Sequence, residues 1–176
     1  YGWAARVPRA IFRDAVAPYS VVNEARTDSR SLLDGALAPL MANISSDASN
    51  AVVATHLNAH MWAALGRFSS TAKIVFKSEQ TPLIYDPMST LAYGYASCTG
   101  VSLLFVAALR TFGVPARLAG TPAWHGVEKN GNHNWVRARP MHQQTPSRPP
   151  ASARLAGGGV ARRRRGGRPR RRVGLH

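Results

Sequence analysis

The stretch GYASCTGVSLLFVAALRTFGVPAR, Gly94 to Arg117, decides how this chain is read. Small residues (Gly94, Ala96, Ser97, Gly100) surround its one cysteine, Cys98, and from there Val101, Leu104, Phe105, Ala108, Leu109 and Phe112 recur at helical spacing. Gly113 and Pro115 end that helix. Cys98 thus stands at a helix N-terminus, where unpaired backbone N–H groups and the helix dipole favour thiolate over thiol. The small neighbours leave room for a substrate backbone to approach and leave the Cys98 amide free to donate to an oxyanion. A lone cysteine opening an apolar helix is also the pattern of a small buried hydrophobe, so the surrounding sequence has to decide between the two.

Working outward, Asp86-Pro87 reads as N-cap and first residue of a short helix that Gly94 interrupts, because the fixed φ of proline suits that position and its missing N–H is no loss there. Ile74 to Phe76 is a short β-prone patch, and Lys77 to Tyr85, with Pro82 and no period, reads as a loop. Before it, Val52, Val53, Leu57, Met61, Ala64 and Leu65 make a helix that starts among the capping residues Ser46 to Asn50 and stops at Gly66 as its C-terminal cap. Leu32, Leu33, Ala36, Leu37, Leu40 and Met41 make another after Asp28 or Ser29, with Pro39 standing in its last turn. Downstream, Ala116 to Trp124 and His133 to Val136 read as the strands of a hairpin turning through Gly126, Asn130 and Gly131. His133, opening the second strand, can meet the thiol in space and take its proton. After Arg139 there is no hydrophobic period of either kind.

The chain has 176 residues, enough for one ordinary domain. Its net charge of +15 suggests nucleic acid until it is divided along the sequence. Residues 1–136 hold 11 Lys+Arg against 8 Asp+Glu, whereas residues 137–176 hold 12 Arg and no acid, so the basicity belongs to the tail. No apolar run approaches the roughly 20 residues that span a bilayer. No basic-then-apolar leader opens the sequence, and a single cysteine selects no redox compartment.

The order GYASCTG, amphipathic helix, GVPAR (Gly113–Arg117) and GNHNWV (Gly131–Val136) closely resembles the core of the transglutaminase-like superfamily, from about Ile74 to Val136. The resemblance implies an α+β fold of the papain-like kind, with N-terminal helices and a Cys98-bearing helix packed on a small, incomplete antiparallel sheet carrying His133. It goes with one domain over residues 1–139, a helical lobe to about 72 and a catalytic core from about 73, while the composition of residues 140–176 reads as a disordered Arg/Pro/Gly-rich tail. The implied reaction is attack of the Cys98 thiolate on an amide or peptide carbonyl of a protein substrate, with His133 as general base and no metal or organic cofactor. Gln80, Tyr93 and Tyr95 fall where the family often lines the thiol pocket, and Trp124 and Trp135 cover the sheet beside it. The resemblance also allows an extracytoplasmic location.

The chain departs from the family at one place. The family's aspartate on the strand after the histidine is missing, since no Asp or Glu follows Glu128, and an imidazole not held in its productive tautomer costs on the order of 10⁴ in rate in serine triads. Gln143 and Gln144 are the amides nearest beyond that strand. An impaired enzyme is therefore the first expectation, a catalytically inactive binding or structural module the second, and nucleic-acid contact through the tail the third. Arg, Ala, Gly and Pro are also what GC-rich codons yield in a shifted frame, so the tail reads as an out-of-frame extension replacing the family's last strands. Polyanion contact by such a tail is electrostatic and non-specific. His56 and His60 have the i, i+4 spacing of a metal face but no third ligand, so they read as a solvated helix surface, and His125 reads as exposed in the turn.

Overall fold

The apolar spacing around Cys98 does produce a helix, and the rest of the molecule is arranged about it. The computed structural model describes residues 1–79, 82 and 85–138, all within one unit, Tyr1–Gln144. The order is α1 (Gly2–Ala5), α2 (Arg9–Ala15), α3 (Ser29–Met41), α4 (Asn50–Gly66), β1 (Val75–Phe76), α5 (Pro87–Tyr93), β2 (Tyr95–Ala96), α6 (Cys98–Thr111), β3 (Ala116–Thr121) and β4 (His133–Ala138). Two single 3-10 turns, Trp124–Gly126 and Glu128–Asn130, lie between β3 and β4. The fold is α+β, with β1 and β2 parallel and β3 and β4 antiparallel. Residues 140–176, expected to form a tail, lie outside the described residues, as does Gln80; Gln143 and Gln144 fall in that same stretch.

Helix α6 packs against α3, α4, α5 and both strands of the hairpin. From Ser102 to Arg110 only Phe105 is not fully buried, so α6 is enclosed on all sides rather than along the single stripe its spacing predicts. Leu103, Leu104 and Leu109 are completely inaccessible, as are Leu33, Leu37, Leu57, Met61 and Leu65 on the two long helices. Burying each such side chain contributes about 1.5–3 kcal/mol.

Local signals set the element ends. Asp86 accepts from the amides of Met88 (2.9 Å) and Ser89 (3.1 Å), capping α5 as its sequence predicts, and Gly94 closes α5 at φ 73°. Ser49 Oγ accepts from the Val52 amide to cap α4. Strand β1 positions the start of α6, because Val75 donates to Gly94 and Lys77 to Ala96, each at 2.9 Å, which pins β2 directly before Cys98.

Helix α3 runs through Pro39 to Met41, the full length of its apolar spacing: residue 35, whose carbonyl the proline ring opposes, is a glycine with open space around it, and the burial of Leu37 and Met41 offsets the lost hydrogen bond. Three expectations are corrected. Gly66 is not a left-handed cap. It is the last residue of α4, and a Cβ there would lie 2.7 Å from the Ala72 carbonyl oxygen, so the glycine is needed for close approach of the returning chain. Strand β3 ends at Thr121, not Trp124, because Pro122 has no N–H for the ladder. Finally, β4 runs two residues past Val136, pairing Ala138 with Ala116. Helices α1 and α2 are additions to the sequence reading; Trp3 is 1% exposed and its Nε1 donates to the Phe112 carbonyl at 2.8 Å, tying α1 to the end of α6.

Candidate active site

Cys98 is the first residue of α6, half-buried, and lines a cleft of about 540 Å³. As the first helical residue its amide has no acceptor within the helix. Ser97, Thr99, Ser78, Asn132, Trp124 and His133 also line the cleft, so Cys98 and His133 border one space. Among the described residues no hydrogen bond joins them, and no carboxylate bonds the His133 ring.

The hairpin explains how His133 is presented. In the register Gly120 pairs with Asn134, Leu118 with Val136 and Ala116 with Ala138, and side chains alternate between faces along each strand. Val136 and Ala138 pack on the core, and Asn134 Nδ2 donates to Thr99 Oγ1 on α6 at 2.7 Å, so these residues occupy the inner face. His133, Trp135 and Arg137 therefore alternate to the outer face. His133 reaches the cleft from its rim, with its ring 4.1 Å from that of Trp124 and 6.3 Å from that of Trp135.

Residues 65–140 match the family model of the transglutaminase-like superfamily. That stretch belongs to the transglutaminase-like superfamily. No curated protein and no solved structure matches the chain. The matched stretch carries β1, α5, β2, α6 and the hairpin of the transglutaminase-like domain, and hence the whole Cys98-to-His133 segment.

The other residues singled out from the sequence are placed unevenly. Trp124 lines the cleft, whereas Tyr93 and Tyr95 cluster with Tyr85 (ring centroids 5.8 to 6.5 Å apart) at the α5–β2 corner and are not among its described lining residues. The small residues beside Cys98 serve the protein's own packing more than an approaching substrate. Gly94, Ala96 and Gly100 are buried, and only Ser97 lines the cleft. A Cβ on Gly100 would lie 2.6 Å from Ala96 Cβ and 3.0 Å from Tyr85 Cβ. Gly100→Ala is accordingly expected to push the first turn of α6 outward and to destabilise the domain by about 1–3 kcal/mol, read as a lower urea midpoint; an unchanged midpoint would mean that this turn has slack.

Two features were not visible in the sequence. Val22 contributes to the cleft although it lies far upstream of Cys98, between α2 and α3. Its segment is held from several directions: Glu24 accepts from the amides of Val21 (2.6 Å) and Val22 (2.9 Å), and Arg30 donates to the carbonyls of Val16 and Pro18. Arg110 donates to the carbonyls of Pro18, Ser20 and Ala116 at 3.0 to 3.1 Å. Burial pushes the Arg110 guanidinium down to about 10, with Arg30 adding to the shift and Glu24 opposing it, so it stays charged at neutral pH. His56 and His60 lie with rings 4.6 Å apart, and His56 Nε2 is 3.0 Å from the Leu40 carbonyl. Among the described residues no three of His, Cys, Asp and Glu are grouped as a metal ion would need. No described helix is long and apolar enough to cross a membrane.

Proposed function

We propose that this transglutaminase-like domain is a cysteine enzyme acting on amide or peptide bonds of a protein substrate, with Cys98 as nucleophile and His133 as its base. The observation that carries this reading is that both side chains border one cleft, with Cys98 on the first turn of a buried helix inside the family-matched stretch. The Cys98 thiolate adds to the substrate carbonyl carbon, and the resulting oxyanion accepts a hydrogen bond from the Cys98 amide. The imidazolium of His133 passes its proton to the departing amine, leaving a thioester on Cys98. Water, or a second amine, attacks that thioester while His133 takes up its proton; the C–S bond breaks, releasing the acid or the new amide and returning the Cys98 thiolate beside the His133 imidazolium.

A second reading has its own support. Asn134, not His133, is aimed at α6, and the described residues offer no carboxylate to orient the imidazole. A domain that keeps the fold and the cleft but binds a peptide without cleaving it would look the same. Trapping separates the two. With 4-nitrophenyl acetate an enzyme forms a hydroxylamine-labile acetyl thioester that peptide mapping places on Cys98 and that Cys98→Ala removes. Labelling confined to lysines, equal in wild type and Cys98→Ala, would leave the binding module.

A further inference from the structure

Cys98 does not face one cleft alone. A second groove of about 320 Å³ opens from the same point, and four residues, Phe76, Cys98, His133 and Asn134, line both. The two differ in chemistry. The larger cleft is rimmed by amides and hydroxyls, among them Ser78, Thr99, Asn130 and Asn132, which can pair with an extended peptide backbone. The smaller one is lined from α4, α6 and β4, mainly by the apolar Trp62, Val101, Phe105, Trp135 and Val136, with Asn58 and Ser102 as its own polar members. On the α4 side the Trp62 indole is already used, since its Nε1 donates to Asn58 Oδ1 at 3.3 Å. The Trp62 and Phe105 rings stand 6.1 Å apart. Apolar surface remains in water beside the thiol: Phe76 is 60% and Trp135 41% exposed.

We infer that the Trp62–Phe105–Trp135 groove is a specificity subsite that receives one bulky apolar side chain of the substrate, aromatic or branched, next to the carbonyl presented to Cys98. The inference rests on the reading of Cys98 as a substrate-facing nucleophile and adds the substrate class, a peptide with a large apolar residue beside the attacked bond. A hydrocarbon side chain leaving water for these walls gains favourable transfer free energy, and one methylene alone changes discrimination by about 10-fold or more. A small polar side chain gains far less of this transfer free energy.

The test compares N-(2-phenylethyl)iodoacetamide with iodoacetamide on the intact chain, taking the ratio of their alkylation rate constants at Cys98 and normalising it by the same ratio for a free cysteine peptide. The expected normalised ratio is about 10 or more, falling toward one in Phe105→Gln and, separately, in Trp62→Gln. A wild-type ratio near one overturns the subsite, whatever those variants do, and so does a high ratio that survives both substitutions. Because the ratio cancels the intrinsic reactivity of the thiol, an unactivated Cys98 lowers both rate constants together and argues against the catalytic reading alone.

Discussion

Arg110→Met is expected to lower the melting temperature by roughly 10 °C. The side chain is 5% exposed and satisfies the carbonyls of Pro18, Ser20 and Ala116, two of them about 90 residues away in sequence. Methionine fills much of the same volume but donates nothing, so the substitution isolates the hydrogen bonds from the packing. Each buried carbonyl left without a donor costs about 1–3 kcal/mol, and some of that is recovered by relaxation toward solvent. A net loss of about 3–5 kcal/mol at about 2–4 °C per kcal/mol gives the stated shift. The loss has a place as well as a size. Segment 16–24 should become the first site of proteolytic cleavage, because its remaining described side-chain hydrogen bonds are those of Arg30 and the internal contact of Glu24 with Val21 and Val22, with Val16 and Val21 left to hold it by packing. Arg110→Lys should restore little, since one ammonium group cannot span three carbonyls on two segments. A melting temperature within about 1 °C of wild type would show that these carbonyls find water instead.

That prediction concerns an arrangement no local pattern encodes. The sequence places α5 and α6 well because their signals are short-range: Asp86-Pro87 starts one, Gly94 ends it, and the apolar spacing from Val101 to Phe112 carries the other to Gly113. The 4 and 7 residues of α1 and α2 are too few to show a period, and α1 is held by one long-range bond from Trp3 to Phe112. Gly66 illustrates a different difficulty. Its position at a helix end suggests a cap, yet its reason for being glycine is the Ala72 carbonyl that returns against it.

The sequence offers candidates for the site but not its geometry. Cys98, His133 and Trp124 line one cleft, and all three lie within the family-matched residues 65–140. Which face of β4 carries His133 is set by register, and a one-residue slip would exchange His133 with Asn134. Register in turn depends on the packing of Val136 and Ala138 on the core, which spacing alone does not give. The second groove draws Trp62 from α4 and Phe105 from α6, so it exists only once those helices meet. The same holds for Val22 at the rim.

If Cys98 and His133 work as the proposed pair, His133→Ala has the largest kinetic effect on the thiol. An ordinary cysteine titrates near pH 8.5, so at pH 6.5 only about 1% of it is nucleophilic thiolate. A cysteine paired with an imidazole, at the N-terminus of a helix, presents mostly thiolate there and reacts on the order of 10-fold to 100-fold faster. Removing the imidazole takes away the proton acceptor while leaving α6 and its dipole in place, so the two contributions separate. The direct measurement is the rate of Cys98 alkylation by iodoacetamide from pH 5.5 to 9 in wild type and in His133→Ala. The expected result is rapid alkylation well below pH 8 in wild type, with a profile in His133→Ala shifted toward that of a free thiol. Superimposable profiles that both follow an ordinary thiol would contradict the pairing of Cys98 with His133.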